Sequence, residues 1–264
     1  MSAENSAIEV GLGRAAFFTN DIQAAELHFR KAATLAPDEV APELLMASLF
    51  ASKQKSDEAD VWFSQGIAEN VLHSDSIRLA YAMWMLNEQR APEAFKFSQA
   101  AIKEDTKFKD EYSLVQALVY YMYGKYPEAE GLLSSLAQKN PGNLRIGNQL
   151  ALALAESSDE GKRARALQVA FQNVKSAPDS VDTASSLAWI QFRLGDLKAA
   201  EETTAAIIRR GGQLSRDSAY FLAQILSKLN RESEAGKLLD VTRKTKGEFL
   251  NAKRLANANG PKSD

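Results

Sequence analysis

The chain has 264 residues, 45% of them hydrophobic, 25% charged and 8% aromatic, which is the balance of a folded protein and excludes disorder as a description of its bulk. Thirty-two basic against thirty-four acidic residues leave a formal charge of −2, which disfavours a dedicated nucleic-acid binder, because contact with phosphates needs a basic excess. Cysteine is absent, so disulfides, a thiolate nucleophile and Cys-bearing zinc sites are excluded.

Met1–Val10 carries neither the basic start nor the apolar stretch of a secretory signal. No apolar run approaches the roughly 18 to 20 residues that cross a bilayer. The default expectation is therefore a cytoplasmic chain without a membrane span; an extracytoplasmic location follows only if a leader has been removed. Amphipathic stretches end near Pro37, Pro141 and Pro178, and the alternation of β-branched residues that marks strands is missing. The sequence reads as all-α.

In chain order, a small residue is followed by another a dozen or so positions later, again and again. The pairs are Gly13 and Ala25, Ala47 and Ala59, Ala82 and Ala94, Ala117 and Ala129, Ala151 and Ala166, Ala188 and Ala200, and Ala223 and Ala235. Successive second members stand 34, 35, 35, 37, 34 and 35 residues apart. A constant period of this size signifies a stacked repeat. Small residues recur because two antiparallel helices approach closely only where neither carries a bulky side chain at the crossing. Larger residues such as Phe50, Phe63, Tyr120, Leu133, Leu222 and Leu239 fall on the same stripes and are expected in the core. Gly124 and Gly195 follow first helices as C-terminal stops, with Asn20 and Asn230 in the equivalent place elsewhere, Asn being the next most tolerant of a left-handed backbone.

On these residues the chain resembles the tetratricopeptide repeat family. The resemblance is clearest in Ala25, Phe29, Ala32 and Pro37 of the first unit and in Ala117, Tyr120, Gly124, Tyr126, Ala129 and Pro141 of the fourth. It departs where Val71, Thr106 and Gly212 replace the closing Pro, and where Ser157–Lys162 adds about three residues to the fifth unit. The resemblance implies an all-α, right-handed superhelical solenoid of about seven hairpins. Their boundaries are expected near 6–39, 40–73, 75–108, 110–143, 144–180, 181–214 and 216–249, with the first helix starting near Ala7. A C-terminal capping helix is expected over 249–258, with Ala252, Leu255 and Ala256 inward and Asn251, Lys253, Arg254 and Asn257 toward water, then a frayed tail over 259–264.

In the resembled family the first helix of each hairpin lines a concave groove that holds peptides or helices. Carried onto this sequence, the resemblance implies a lining of Leu79, Met83, Leu86, Asn87, Leu114, Leu118, Tyr121 and Met122 in the third and fourth units. Ser185, Trp189, Phe192, Arg193, Tyr220, Gln224 and Lys228 follow in the sixth and seventh. Aromatic, Met and Arg side chains are the composition of binding hot spots, although a helix in a solenoid is buried on more than one side, and Trp62 and Trp84 read as packing residues. One subgroup clamps the C-terminal carboxylate of chaperones with Lys, Asn and Arg. Val10, Arg14, Leu45, Ser76 and Ala80 stand at those positions, so chaperone-tail binding is not expected.

Residues with catalytic or ligating chemistry do not assemble. His28 and His73 belong to different units and read as surface histidines, so no metal site and no cofactor are expected. Gly11-Leu12-Gly13-Arg14-Ala15-Ala16 has the letters of a dinucleotide fingerprint but no strand before it. The acidic pairs Asp57-Glu58, Asp159-Glu160 and Glu201-Glu202 sit where carboxylates favour a helix N-terminus. The leading expectation is a non-enzymatic scaffold that holds a polypeptide partner in its groove. Alternatives are a self-associating module such as a homodimer, a pentatricopeptide-like RNA binder, which the charge and the apolar Leu114, Leu118 and Met83 disfavour, and the longer Sel1-like units. Charge divides unevenly, with thirteen basic against twenty acidic residues over 1–140 and nineteen against fourteen over 141–264; such an axis could orient a ligand or let molecules associate head to tail, although scattered surface charge with no role is the commoner case.

Overall fold

The computed structural model describes residues 2–70, 72–104 and 106–258. Every element among them is helical. In chain order these are α1 (Ser2–Phe18), α2 (Ile22–Leu35), α3 (Pro42–Ser52), α4 (Ser56–Glu69), α5 (Ser74–Asn87), α6 (Ala91–Lys103), α7 (Lys109–Met122) and α8 (Tyr126–Lys139). They are followed by α9 (Leu144–Ala155), α10 (Glu160–Ser176), α11 (Val181–Arg193), α12 (Leu197–Arg210), α13 (Arg216–Lys228), α14 (Glu232–Lys244) and the short α15 (Ala252–Ala258). No described helix is long and apolar enough to cross a membrane. The helix α1 begins at Ser2, earlier than expected, with Glu4 in its first turn. The closing position at residue 71 and the tail at 259–264 lie outside the described residues.

Local chemistry sets the helix starts. The carboxylates of Asp21, Asp159 and Asp196 accept hydrogen bonds from the amides of Ala24, Lys162 and Ala199 at 3.0, 2.8 and 3.0 Å, satisfying donors that the first turn leaves open. Asn143, Ser180 and Ser215 cap α9, α11 and α13 in the same way. The tight turns inside the hairpins carry left-handed residues at Asn20, Gly124, Gly195 and Asn230, and also at Gln54 and Gln89. The two glutamines occupy the turn positions of the second and third pairs, which lack the Gly or Asn signal.

Every member of the seven small-residue pairs is buried. A side chain at Gly13 would stand 2.5 Å from the Phe29 ring, so the crossing of α1 and α2 is closed by the absence of a Cβ. Ala25, Ala59, Ala94, Ala129, Ala166 and Ala200 are fully buried. Phe50, Phe63, Leu133 and Leu222 are buried as expected, whereas Tyr120 and Leu239 are half-buried.

Packing divides the chain into two compact units, one of residues up to Trp84 together with Ala101–Lys109, the other of Met85–Ala100 together with Asp110 onward. In the first, Phe17, Phe29, Met46, Phe50, Phe63, Ile77 and Trp84 form the core. Phe17 meets Phe50 edge-on at 5.0 Å, and Phe63 stacks on Tyr81 at 4.9 Å. In the second unit, α9 packs on α10, α11 on α12 and α13 on α14, while the first helices α9, α11 and α13 also pack side by side. Those three helices present a continuous face.

Candidate functional site

That face is covered by residues 247–258. Beyond α14 the backbone turns at Gly247, which has a φ of 110°, and returns over the first helices. Glu248 pairs with Arg145 of α9 at 2.9 Å. Phe249 is 1% exposed; it packs edge-on against Tyr220 at 5.8 Å and lies 4.7 Å from the Arg216 guanidinium. The Gln89 amide donates to Phe249 O at 3.2 Å and accepts from Phe249 N at 3.1 Å. Arg216 also donates to the carbonyls of Thr242 and Gly247 at 3.0 and 3.2 Å.

Asp217 anchors the next two residues. Its carboxylate accepts from Leu250 N at 3.0 Å, Asn251 N at 3.2 Å and Asn251 Nδ2 at 2.7 Å. Desolvation under the returning segment pushes this carboxyl up to about 6 in spite of the three donors. Asn251 is 1% exposed, and Arg254 points into the protein. The expectation that both face water is therefore corrected: the segment buries its polar side against acidic and aromatic partners instead of merely solvating the last hairpin. Asn257's side chain lies outside the described residues.

At the centre is Glu156, the C-cap residue of α9, with its side chain 2% exposed. A carboxylate at the negative end of a helix needs cations. Arg193 Nη2 and Arg254 Nη2 supply them, both donating to Oε2, at 2.9 and 2.7 Å. Arg254 Nη2 also donates to the Tyr126 hydroxyl at 2.5 Å. Its guanidinium lies 5.4 Å from the Tyr126 ring and 5.7 Å from the Trp189 ring. Lys253 sits over Tyr123 at 3.4 Å from the ring centre. Glu156 Oε1, Trp189 Nε1 and the hydroxyls of Tyr121 and Ser185 are buried without a hydrogen-bond partner. Burial holds the Tyr121 hydroxyl well above the ordinary tyrosine range, so it is a neutral donor.

The residues expected to line a groove fall into three environments. Leu86, Leu118, Tyr121, Met122, Ser185, Trp189 and Tyr220 are buried. Leu79, Met83, Leu114, Phe192 and Gln224 are half-buried, and Asn87, Arg193 and Lys228 are exposed. Trp189 stacks on Phe221 at 4.8 Å with 17° between the rings and tilts against Phe192 and Tyr220. It is a wall beneath Arg254 with its ring 3% exposed. Glu156, Arg254, Asp217 and Gln89 were missed at the sequence level. A lone carboxylate closing the apolar run Leu150–Ala155 was the available signal for Glu156.

The histidines are engaged elsewhere. His28 Nδ1 lies 2.6 Å from Glu9 Oε2, half-buried rather than on the open surface, and Lys31 pairs with the same carboxylate. Hydrogen bonds from Lys31 and then His28 hold the Glu9 carboxyl below its ordinary value. His73 Nε2 lies 2.7 Å from the Pro37 carbonyl oxygen. No cluster of three ligating side chains that could hold a metal occurs among the described residues.

No family model matches the chain, and no curated protein matches it. Solved structures do. A tetratricopeptide repeat protein from Parabacteroides merdae superposes with a TM-score of 0.64 over 91% of this chain and 99% of its own, at 13% identity. The chain has the tetratricopeptide-repeat fold. PilW, a widely conserved type IV pilus biogenesis factor, matches with a TM-score of 0.57 at 18% identity, over 89% of this chain and 98% of its own. A thermophilic tetratricopeptide repeat protein of Thermus thermophilus matches with a TM-score of 0.54, also at 18% identity, over 70% of this chain and 98% of its own. In tetratricopeptide-repeat terms, α9, α11 and α13 are first helices, and the C-terminal segment crosses them.

Proposed function

We propose that this chain is a non-enzymatic binding module that holds a segment of a partner polypeptide against the face of α9, α11 and α13. The observation that carries this reading is the seating of residues 247–258 on that face. Asp217 and Gln89 grip their backbone, Tyr220 and Arg216 hold Phe249, and Glu156 holds Arg254. Backbone contacts bind polypeptide irrespective of sequence, whereas side-chain sites select among sequences. A surface with both is equipped for peptide recognition.

The half-buried and exposed members of the face on α13, Gln224 and Lys228, can be changed without opening the core. Affinity capture from a native lysate with the full chain, beside a Gln224→Ala plus Lys228→Glu variant of equal helicity, tests the proposal. A protein retained by the wild type and lost by the variant is the expected result; identical retained sets would overturn it.

A second reading, self-association, is favoured by α1, where Ile8 and Leu12 stand one turn apart and are 60% and 46% exposed. Light scattering would show a dimer that Ile8→Glu plus Leu12→Glu converts to a monomer. A wild-type chain that is already monomeric removes this reading.

A further inference from the structure

We infer that the recess formed by Glu156, Tyr126 and Trp189 is a receptor for an arginine side chain of a partner polypeptide, with Arg254 as its in-chain occupant until the partner displaces it. The inference rests on the peptide-binding reading of the same face and adds the ligand's chemistry.

The recess combines what a guanidinium requires. A carboxylate 2% exposed to solvent forms the floor, where charge-assisted hydrogen bonds are least screened. Two aromatic faces lie 5.4 and 5.7 Å from the bound cation, within the range of cation–π attraction. The Tyr126 hydroxyl accepts a further N–H. A lysine ammonium has no plane to lay against the rings and no fork to span two oxygens.

Arg254 fills this recess incompletely. Both arginines bind Oε2, while Glu156 Oε1 is buried without a partner. A guanidinium presents five N–H donors in a fork that matches both oxygens of a carboxylate. An arginine entering in bidentate fashion would satisfy the atom that Arg254 leaves open. Leaving such an atom unpaired carries a continuing cost that a better-fitting ligand removes.

The occupant sits on a short helix just beyond the anchored residues Phe249, Leu250 and Asn251. The helix α15 has 7 residues, too few to persist on its own. Its Leu255 is only half-buried and Ala256, expected inward, is exposed, so Arg254, together with Lys253 over Tyr123, fastens the helix to the face. Tethering keeps Arg254 at a high effective concentration. A competitor must therefore bring contacts beyond its arginine, and the exposed Lys228 and half-buried Gln224 on the neighbouring helix are available for them.

The test uses the full chain carrying Arg254→Ala, which empties the recess, and synthetic peptides copying residues 252–258 with Arg, Lys or Ala at the position of Arg254. Binding is read from tryptophan fluorescence and confirmed by NMR, with helicity checked by circular dichroism. The expected result is that the Arg peptide binds the variant at least tenfold more tightly than it binds the wild-type chain, and at least tenfold more tightly than the Lys peptide binds the variant. Adding Glu156→Gln should abolish that preference. Should Arg254→Ala lose helicity, Arg254→Lys serves as the opened form. Equal binding of all three peptides would overturn the arginine receptor while leaving a general peptide-binding face. Binding of none of them to a chain of intact helicity would overturn it as well, and the capture experiment then decides the broader reading separately.

Discussion

Glu156 Oε2 and Arg254 Nη2 meet at 2.7 Å, joining the end of α9 to α15. The carboxylate is buried, while Arg254 and Arg193 keep 26% and 40% of their side chains exposed. Replacing Glu156 by Gln leaves two cations without their counter-charge. The expected loss is about 2 to 3 kcal/mol, below that for a wholly buried pair because both arginines can turn to water. Thermal unfolding measures the loss, and hydrogen exchange should show the amides of 252–258 losing protection first; unchanged protection would detach α15 from Glu156.

Trp189 is stacked on Phe221 and 3% exposed. Truncation to Ala removes a large buried ring, and the expected cost is about 3 to 5 kcal/mol. A melting temperature close to that of the wild type would mean that the ring is a free surface rather than a wall. Partner-binding assays on the face are therefore better made with Lys228 and Gln224 variants than with Trp189→Ala.

At the crossings, volume is the controlling variable. Ala129 is fully buried, and Ala129→Leu is expected to destabilise by about 1 to 3 kcal/mol through overpacking. Gly13→Ala should also be costly, because the new methyl would stand 2.5 Å from the Phe29 ring. Chemical denaturation would report both; a neutral Ala129→Leu would show that α7 and α8 separate without penalty.

Gln54 and Gln89 both adopt left-handed backbones, with φ of 59° and 61°, but only Gln89 uses its side chain to hold Phe249. Gln54 is exposed. Gln54→Gly should stabilise the chain by up to about 1 kcal/mol by removing the left-handed strain. Gln89→Gly should gain the same relief and lose the two hydrogen bonds to Phe249, ending less favourable than Gln54→Gly. Equal melting temperatures for the two variants would deny Gln89 its role in seating the C-terminal segment.

The carboxyl of Asp217 is raised from 3.8 to about 6 by desolvation. Between those values the native chain holds a proton that the unfolded chain has released, so its contribution is full below about pH 4 and declines as pH rises through 6. Asp217→Asn imitates the protonated form at every pH. The stability difference, wild type minus variant, should therefore fall between pH 4 and pH 7; a difference that grows with pH would reverse the assignment.

The helical repeat was legible in the sequence because its causes are local. A small residue at each crossing and a Gly or Asn after a first helix each act within a few positions of themselves, and the 34 to 37-residue period repeats them. Gln54 and Gln89 escaped because neither residue type announces a left-handed turn; packing of the surrounding hairpin imposes it. The site was less legible still. Trp189, Tyr121 and Tyr220 stood out as aromatic residues on first helices, but their burial depends on what covers them. Arg254 was read as a solvent-facing charge because helical periodicity sorts residues by polarity and takes no account of a buried carboxylate arriving from another helix. Only the tertiary structure brings Glu156 and Asp217 beneath the returning chain, since that meeting is decided by the stacking of α9, α11 and α13 and the turn at Gly247.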